Sequence, residues 1–329
     1  MNTQFPQLTP PQQLFRTTET RPLPNLQHLQ QTAQPRQAPI LDSYRLSPLP
    51  TGHPLLTQPL FEDPAPAKPA AAPVPQATVT PTLRPDEIAE GVSYSDHLRT
   101  RDGGVVRVLT VDPRRAEIVP VFRPKPGPMS SREVTEREDI VGAINASFFG
   151  KGLVGDVLAD AKHLFRDNWD ARLDSITDQR YFMGVTKDGK TITGKGGIDE
   201  NNQPQFKHFI GGFPALFTAD NVHRLEQDIR SGSFADRADY SGASQNSTIS
   251  RSFMGVNARG EILLVAAGEG NQRSRGVSMA EGARLLKEMG AVEAYILDGG
   301  GSTTLYARGK DFAPTDGRKV WSYIGIRSK

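Results

Sequence analysis

The sequence predicts an α+β fold with largely antiparallel sheets, a packed helix and an internal duplication. Two segments repeat each other and carry a strand-turn-strand pattern, and a capped helix follows the second repeat. A further pair of apolar strands lies upstream of both repeats. Strands that follow one another through tight turns favour antiparallel sheets, with the helix on one side of them.

The two repeated segments begin at Arg180 and Arg251 and share Arg, Phe, Met, Gly, Val and Gly at equal offsets. Each continues from an apolar strand through a turn with a central glycine into a second strand. Two copies too small to bury their apolar faces alone would pack with approximate two-fold symmetry. The repeat therefore predicts equivalent positions for Arg180 and Arg251.

The helix is predicted between the second repeat and the last long strand. Ser278 and Glu281 have the spacing of a capping box, and apolar residues recur at helical spacing from Met279 to Met289 before Gly290 ends the pattern. A strand over residues 291–297 follows almost without a loop. Helix, strand and the glycines after the strand are thus expected to form one compact unit.

Upstream, residues 105–111 and 117–122 have the composition of strands. The stretch that joins them, Asp112 to Arg115, includes a proline and favours a turn. The pattern predicts an antiparallel opening to the folded part.

The chain divides by composition. Of its 26 prolines, 18 lie before residue 86, whereas only one of its 31 glycines does. A segment rich in Pro, Gln, Thr and Ala without apolar periodicity buries too little surface to offset its chain entropy. We therefore predict a disordered tail and linker over residues 1–88 and a folded domain over residues 89–329.

Several classes of protein are disfavoured. The absence of cysteine excludes disulfides and thiolate chemistry. The net charge of +2 comes from mixed basic and acidic residues, which does not favour nucleic acid as a partner. The longest apolar run, residues 262–267, is far shorter than the roughly 20 residues of a membrane span. The opening residues lack the pattern of a secretory signal, and the compartment stays open.

The stretch with the strongest chemical signal is Leu-Asp-Gly-Gly-Gly-Ser-Thr-Thr-Leu over residues 297–305. It presents Asp298 at the end of an apolar strand. Glycines allow close backbone approach and let successive N–H groups point into one concavity, which suits an anion such as phosphate. Gly299, Gly300 and Gly301 are the candidate residues, with hydroxyl donors from Ser302 and Thr303. The alternative is a glycine-rich hairpin in which Asp298 caps a turn.

The run from Arg251 through the capped helix to this glycine motif resembles the phosphodiester glycosidase family. The resemblance covers roughly residues 90–329. It implies a hydrolase, without a cofactor, that cleaves the anomeric C–O bond of a sugar-1-phosphodiester. Such substrates include N-acetylglucosamine phosphodiesters and phosphate-linked glycans. It also implies that Arg251 binds the phosphate, for which a guanidinium is well shaped.

Asn145 interrupts an otherwise apolar strand. The family carries a similar Asn-Gly-Gly-Phe-Phe segment, which implies that Asn145 lines the site, although this chain has Ala146 and Ser147 in place of the two glycines. The alternative is structural, since a buried amide must find hydrogen-bond partners.

Glu269 follows the strand over residues 262–267, where many family members have Asp-Gly-Arg instead. Both Glu269 and Asp298 lie at strand exits, so they are the candidate catalytic pair of carboxylates. A solvated glycine turn is the alternative for Glu269. For Arg180 the choices are phosphate binding and an ordinary ion pair or edge position.

The chemistry of such a reaction matches these residues. Cleavage at the anomeric carbon needs a carboxylate near an oxocarbenium-like centre, and a phosphate leaves without strong proton donation. Charge stabilisation by arginines and N–H groups becomes the larger task. One competing hypothesis is a non-catalytic module that binds anionic glycans. A metal-dependent phosphodiesterase is another, but His163, His208 and His223 have no metal-binding spacing.

Overall fold

The computed structural model describes residues 86–123, 127–150, 152–166, 180–199, 201–234, 247–268, 275–310 and 312–329. The chain divides into two compact units, Met1–Val74 and Pro75–Lys329, and every described residue belongs to the second. The predicted tail therefore lies outside the described residues except for its last three positions. Of these, Glu87 and Ile88 already belong to the first strand.

The described residues form sixteen strands and three α-helices. The first eight strands are β1 (Glu87–Ala89), β2 (Val92–Arg99), β3 (Val105–Val111), β4 (Ala116–Val121), β5 (Ile140–Asn145), β6 (Val157–Ala159), β7 (Lys162–Phe165) and β8 (Tyr181–Thr186). The others are β9 (Thr191–Lys195), β10 (Phe206–Phe213), β11 (Ala215–Phe217), β12 (Arg251–Asn257), β13 (Ile262–Ala267), β14 (Ala291–Ile296), β15 (Leu305–Ala307) and β16 (Tyr323–Ser328). The helices are α1 (Ser131–Thr135), α2 (Leu225–Ser231) and α3 (Met279–Glu288).

Three antiparallel sheets contain these strands. The seven-stranded sheet has the order β1-β2-β3-β13-β12-β14-β11, the five-stranded sheet β7-β6-β10-β8-β9, and the four-stranded sheet β15-β5-β16-β4. With α3 packed on one sheet, the fold is α+β, as the sequence predicts. The predicted pairing of residues 105–111 with residues 117–122 is wrong, because these strands, β3 and β4, do not pair with each other. β3 already pairs with β2 and β13, so both its edges are filled, and β4 pairs with β16 in another sheet.

The seven-stranded sheet has a core on each face. Leu109 of β3 packs in the cluster shared with the other two sheets, whereas Val106 and Val108 pack in the cluster beneath α3. The alternation follows the two-residue period of a strand. On the inner face the sheets approach closely, because a Cβ on Gly142 of β5 would lie 2.9 Å from Leu109 Cδ1.

Helix α3 has the predicted boundaries. Its N-terminus carries the Ser278–Glu281 capping box, and Met279, Ala283 and Leu286 are buried against the sheet. The helix ends at Glu288, two residues before Gly290, and β14 begins at Ala291. Asp298 follows β14 by two residues, so helix, strand and glycine turn form one continuous unit, as predicted.

The two repeated segments form similar hairpins. Phe182 pairs with Gly194 in β8–β9, and Phe253 pairs with Val265 in β12–β13, which is the same register. Their turns contain Gly189 and Gly260, at φ of 83° and 75°. A third strand, β10 or β14, flanks each hairpin. The local prediction therefore holds, while duplication of the whole domain stays a prediction.

A charged cluster connects the four-stranded and five-stranded sheets. Glu117 of β4 accepts hydrogen bonds from Lys207 on β10 and from Arg327 on β16, where the Nη2 atom lies 2.8 Å away. Burial opposes the ionisation of Glu117, but these cationic donors outweigh it and hold its pKa at about 2. The carboxylate is therefore ionised in the folded protein at neutral pH.

Candidate active site

The glycine turn follows β14 and is held by main-chain bonds to two other strands. Asp298 N–H donates to Ala146 O just after β5, at 2.8 Å, and Gly300 N–H donates to Ser250 O just before β12, at 2.7 Å. Residues Gly300–Ser302 form one 3₁₀ turn. The turn thus connects the seven-stranded sheet to the four-stranded sheet through main-chain hydrogen bonds.

Most N–H groups of this turn have acceptors within the protein. Gly299 N–H donates to Asp298 Oδ1 at 2.9 Å, and those of Gly300, Ser302 and Thr303 donate to main-chain carbonyls. These groups form the turn itself, so the proposed phosphate cradle of Gly299, Gly300 and Gly301 stays a prediction. Ser302 and Thr303 are buried, and within the described residues the Thr303 hydroxyl has no hydrogen-bond partner.

Asp298 is half-buried at the start of the turn. Burial raises the pKa of its carboxyl from 3.8 to about 6, although hydrogen bonds from Ser302 and from Gly299 N–H and the charge of Arg318 act in the opposite direction. A carboxyl with this pKa changes its protonation state close to neutral pH.

Asn145 connects the turn to β12. Its Oδ1 accepts hydrogen bonds from Ser252 Oγ at 2.6 Å and from Thr304 N–H at 3.0 Å. Its Nδ2 donates to Asp298 O at 2.6 Å. Asn145 is fully buried. The buried amide therefore has the hydrogen-bond partners that the structural interpretation requires. The bond from its Nδ2 atom also holds the main chain of Asp298 in position.

Arg251 lies beside the glycine turn, and its guanidinium donates hydrogen bonds to main-chain carbonyls. Its Cγ atom is 3.9 Å from the position that a Cβ on Gly299 would take. Its Nε donates to Val277 O and its Nη2 to Ser247 O, both at 2.9 Å, and the residue is 3% exposed. The side chain therefore anchors the segment before α3 as well as lying next to the site.

Arg180 begins β8 in the other sheet. Its Nη1 donates to Gly212 O at 3.2 Å, and its guanidinium carbon lies 5.9 Å from the centre of the Phe148 ring. Phe148 follows Asn145 by three residues, so Arg180 approaches the same segment that accepts the Asp298 N–H. Glu269, the second predicted carboxylate, lies outside the described residues.

Arg318 and Asp316 lie beside the glycine turn without a signal in the sequence. Arg318 binds Asp316 through its Nε and Nη2 atoms at 2.9 and 2.8 Å, and its charge lowers the pKa of Asp298. A Cβ on Gly301 would lie only 2.1 Å from Asp316 Oδ2. The Asp-Gly pair at 316 and 317 predicts a turn. Nothing in the local sequence indicates that this turn packs on Gly301.

Comparison with protein families gives one match. A family model for phosphodiester glycosidases matches residues 138–327, which span β5 to β16 and all the site residues discussed above. The chain belongs to the phosphodiester glycosidase family. The match confirms the resemblance that the glycine motif and its upstream helix indicate.

Two solved structures share the fold of this chain. The catalytic domain of zebrafish N-acetylglucosamine-1-phosphodiester alpha-N-acetylglucosaminidase, auto-inhibited by pro-peptide, matches with TM-score 0.53 and 18% identity, over 77% of this chain and 86% of that one. A hypothetical protein from Synechocystis matches with TM-score 0.51 and 18% identity, over 73% of this chain and 62% of that one. None of the curated proteins compared with the sequence matches it.

Neither a metal-binding cluster nor a membrane-spanning helix is found among the described residues. Among the described residues, no group of three or more His, Asp or Glu side chains is arranged to hold a metal ion. No helix in the same part of the chain is long and apolar enough to cross a membrane.

Proposed function

We propose that the chain hydrolyses the bond between the anomeric carbon and the phosphate oxygen of a sugar-1-phosphodiester. Family membership supports the reaction class. The observation that carries the proposal is the Asp298 carboxyl, half-buried beside the glycine turn with a pKa raised to about 6. Since the zebrafish relative acts on an N-acetylglucosamine-1-phosphodiester, this sugar is the first substrate to try.

Asp298 acts in its ionised form in the proposed reaction. As the glycosidic bond breaks, positive charge develops on the ring oxygen and the anomeric carbon, and a carboxylate close to them stabilises it or activates the attacking water. The phosphate monoester carries its own negative charge and leaves without a strong proton donor. Glu269 is the sequence-based candidate for the second carboxylate.

Cationic groups support the departing phosphate in this proposal. Arg318 lies close enough to Asp298 to affect its pKa, and Arg251 lies beside Gly299. In a site shielded from water, such fixed charges stabilise a developing anion far better than solvent does. Asn145 keeps Asp298 in place through the hydrogen bond to its carbonyl.

The test is to incubate the purified chain with UDP-N-acetylglucosamine and other sugar-1-phosphodiesters and to identify the products. Free sugar and an intact phosphate monoester are expected. Asp298→Asn should lower kcat by several powers of ten while substrate still binds. Asp188→Asn makes the same chemical change on an exposed hairpin turn and should leave kcat unchanged.

The pH dependence gives a second readout. Because the ionised carboxylate is required, kcat/KM should fall about tenfold for each pH unit below about 6 and level off above it. Full turnover in Asp298→Asn would contradict the mechanism. Binding of the sugar-1-phosphodiesters without any hydrolysis would instead identify a glycan-binding module.

A further inference from the structure

Arg107 in β3 has a guanidinium whose donors are not used by the protein. Its Nε and Nη1 atoms are buried and have no hydrogen-bond partner, and none of the described carboxylates forms an ion pair with it. Buried cationic donors are almost always paired, because an unpaired one loses its hydration without compensation. Arg107 therefore has a binding capacity that the chain alone does not meet.

The register of the seven-stranded sheet places Arg107 on the same face as the candidate site. Arg107 pairs with Ala266 on β13, and Ala266 pairs with Ser252 on β12, so the three side chains form one row across the sheet. Adjacent strands lie about 4.8 Å apart, which puts the Cα atoms of Arg107 and Ser252 about 10 Å apart. Ser252 in turn binds Asn145, which holds Asp298.

Only the Arg107 end of the row is open to a ligand, because Ala266 and Ser252 are fully buried. Arg107 is half-buried as a residue, so its side chain also reaches the surface. An anion that enters here meets a cation in partly apolar surroundings, where the attraction between charges is stronger than in water.

The other arginines near the site have partners. Arg251 donates to the carbonyls of Val277 and Ser247, and Arg318 is bound to Asp316. Arg180 donates to Gly212 O. Arg107 differs from them in that neither its Nε nor its Nη1, both buried, has an acceptor among the described residues.

We propose that Arg107 binds an oxyanion of the substrate, namely the phosphate of the sugar-1-phosphodiester, at the edge of the Asp298 site. This inference rests on the proposed function for the identity of the ligand. Arg107 precedes the region that the family model matches, residues 138–327. The chain therefore supplies this contact from its N-terminal strands.

The first experiment uses inorganic phosphate as the probe and needs no turnover. Phosphate should raise the Tm of the wild-type protein, since a ligand that binds only the folded state stabilises it. The shift should disappear in Arg107→Met and in Arg107→Gln. It should persist in Arg101→Met, which removes an equal charge from an exposed turn of the same strand connection. If Arg107→Met fails to fold, Arg107→Gln gives the answer.

Measurement without phosphate tests the premise. Because the Arg107 donors are unpaired in the free protein, Arg107→Met should melt at or above the wild-type temperature. A much lower Tm would show that Arg107 already has an internal partner and would overturn the proposal. A phosphate shift retained in both Arg107 variants, or absent from the wild type, would also overturn it.

The activity arm separates this proposal from the proposed function. With a sugar-1-phosphodiester, Arg107→Gln should raise KM roughly 10- to 100-fold, the usual effect of losing a charge-assisted hydrogen bond, with a smaller change in kcat. If the wild type shows no turnover but loses its phosphate shift on Arg107 substitution, the proposed function fails and the anion site stands. If the wild type turns over the substrate and KM is unchanged in Arg107→Gln, the proposed function stands and the phosphate contact of Arg107 is overturned.

Discussion

Replacement of Asp298 by Asn is expected to make the protein more stable at pH 8 while it removes activity. Burial raises the pKa of this carboxyl from 3.8 to about 6. The folded state therefore binds the proton more tightly than the unfolded state, and the ionised form carries a cost in folding free energy. Asparagine has nearly the same shape and no charge, so the variant avoids that cost.

The size of the effect follows from the pKa. A tenfold change in proton affinity corresponds to about 1.4 kcal/mol, so the rise from 3.8 to about 6 gives about 3 kcal/mol as an upper limit. The pH dependence of stability has the direction expected for an acid whose pKa is higher in the folded state than in the unfolded state. Wild-type stability falls as the pH rises from about 4 to about 6, and the full cost is present above that range. The advantage of Asp298→Asn should thus be largest at pH 8 and vanish near pH 4.

Urea unfolding at pH 8, 6 and 4 measures this difference, and thermal unfolding should show a shift of about 2 to 4 °C for each kcal/mol in a domain of this size. Asp316→Asn is the matched control. The hydrogen bond from Arg318 lowers the pKa of Asp316, so its replacement should not stabilise the protein at pH 8. An Asp298→Asn protein no more stable than the wild type at pH 8, or equally stabilised at pH 4, would refute the reasoning.

Three further outcomes are expected. Gly301→Ala should destabilise the fold by about 1 to 3 kcal/mol in urea unfolding and lower kcat, because its Cβ would lie 2.1 Å from Asp316 in the Asp316–Arg318 pair. Glu117→Gln should lower the free energy of unfolding by about 1 to 3 kcal/mol at pH 7 in the same measurement, because the ionised carboxylate binds two cations. This stabilisation of the wild type should be lost only as the pH falls from 4.5 towards 2. A chain that begins at residue 84 should melt like the full chain, whereas one that begins at residue 90 should melt lower, because it lacks Glu87 and the rest of β1.

Each of these has a clear contrary result. An unchanged Tm for Gly301→Ala would show that the turn at residues 315–318 does not pack on the glycine. Equal stability of Glu117→Gln and wild type would mean that the charged cluster contributes nothing to the fold. A full-length chain that melts well above the one from residue 84 would show that the preceding segment stabilises the domain.

The sequence determined the local elements of this protein, because their signals lie within a few residues of one another. The capping box at Ser278 and the apolar spacing after it define helix α3. The glycines at 189 and 260 define two hairpins in the same register. The apolar run before Asp298 places this carboxylate at a strand end, which is enough to single it out and to indicate the family.

Only the tertiary structure decided how these elements are combined. The sequence pattern of β3 and β4 allowed them to pair, but the edges of β3 are filled by β2 and β13, so β4 joins another sheet. No local signal carries this information, because pairing depends on which strand edges are left open by distant parts of the chain.

The properties of the site residues also depend on distant parts of the chain, so the sequence predicts which side chains are present but not their environments. The pKa of Asp298 is raised by burial, which arises from residues far away in the chain. Arg251 was predicted as a phosphate ligand, yet its guanidinium donates to main-chain carbonyls that only folding brings near it. Arg107 carried no signal in a strand of valines, and only the register across three strands shows that it shares a row with Ser252. Residue type and order determine which groups the chain contains, whereas their environments depend on contacts between distant segments.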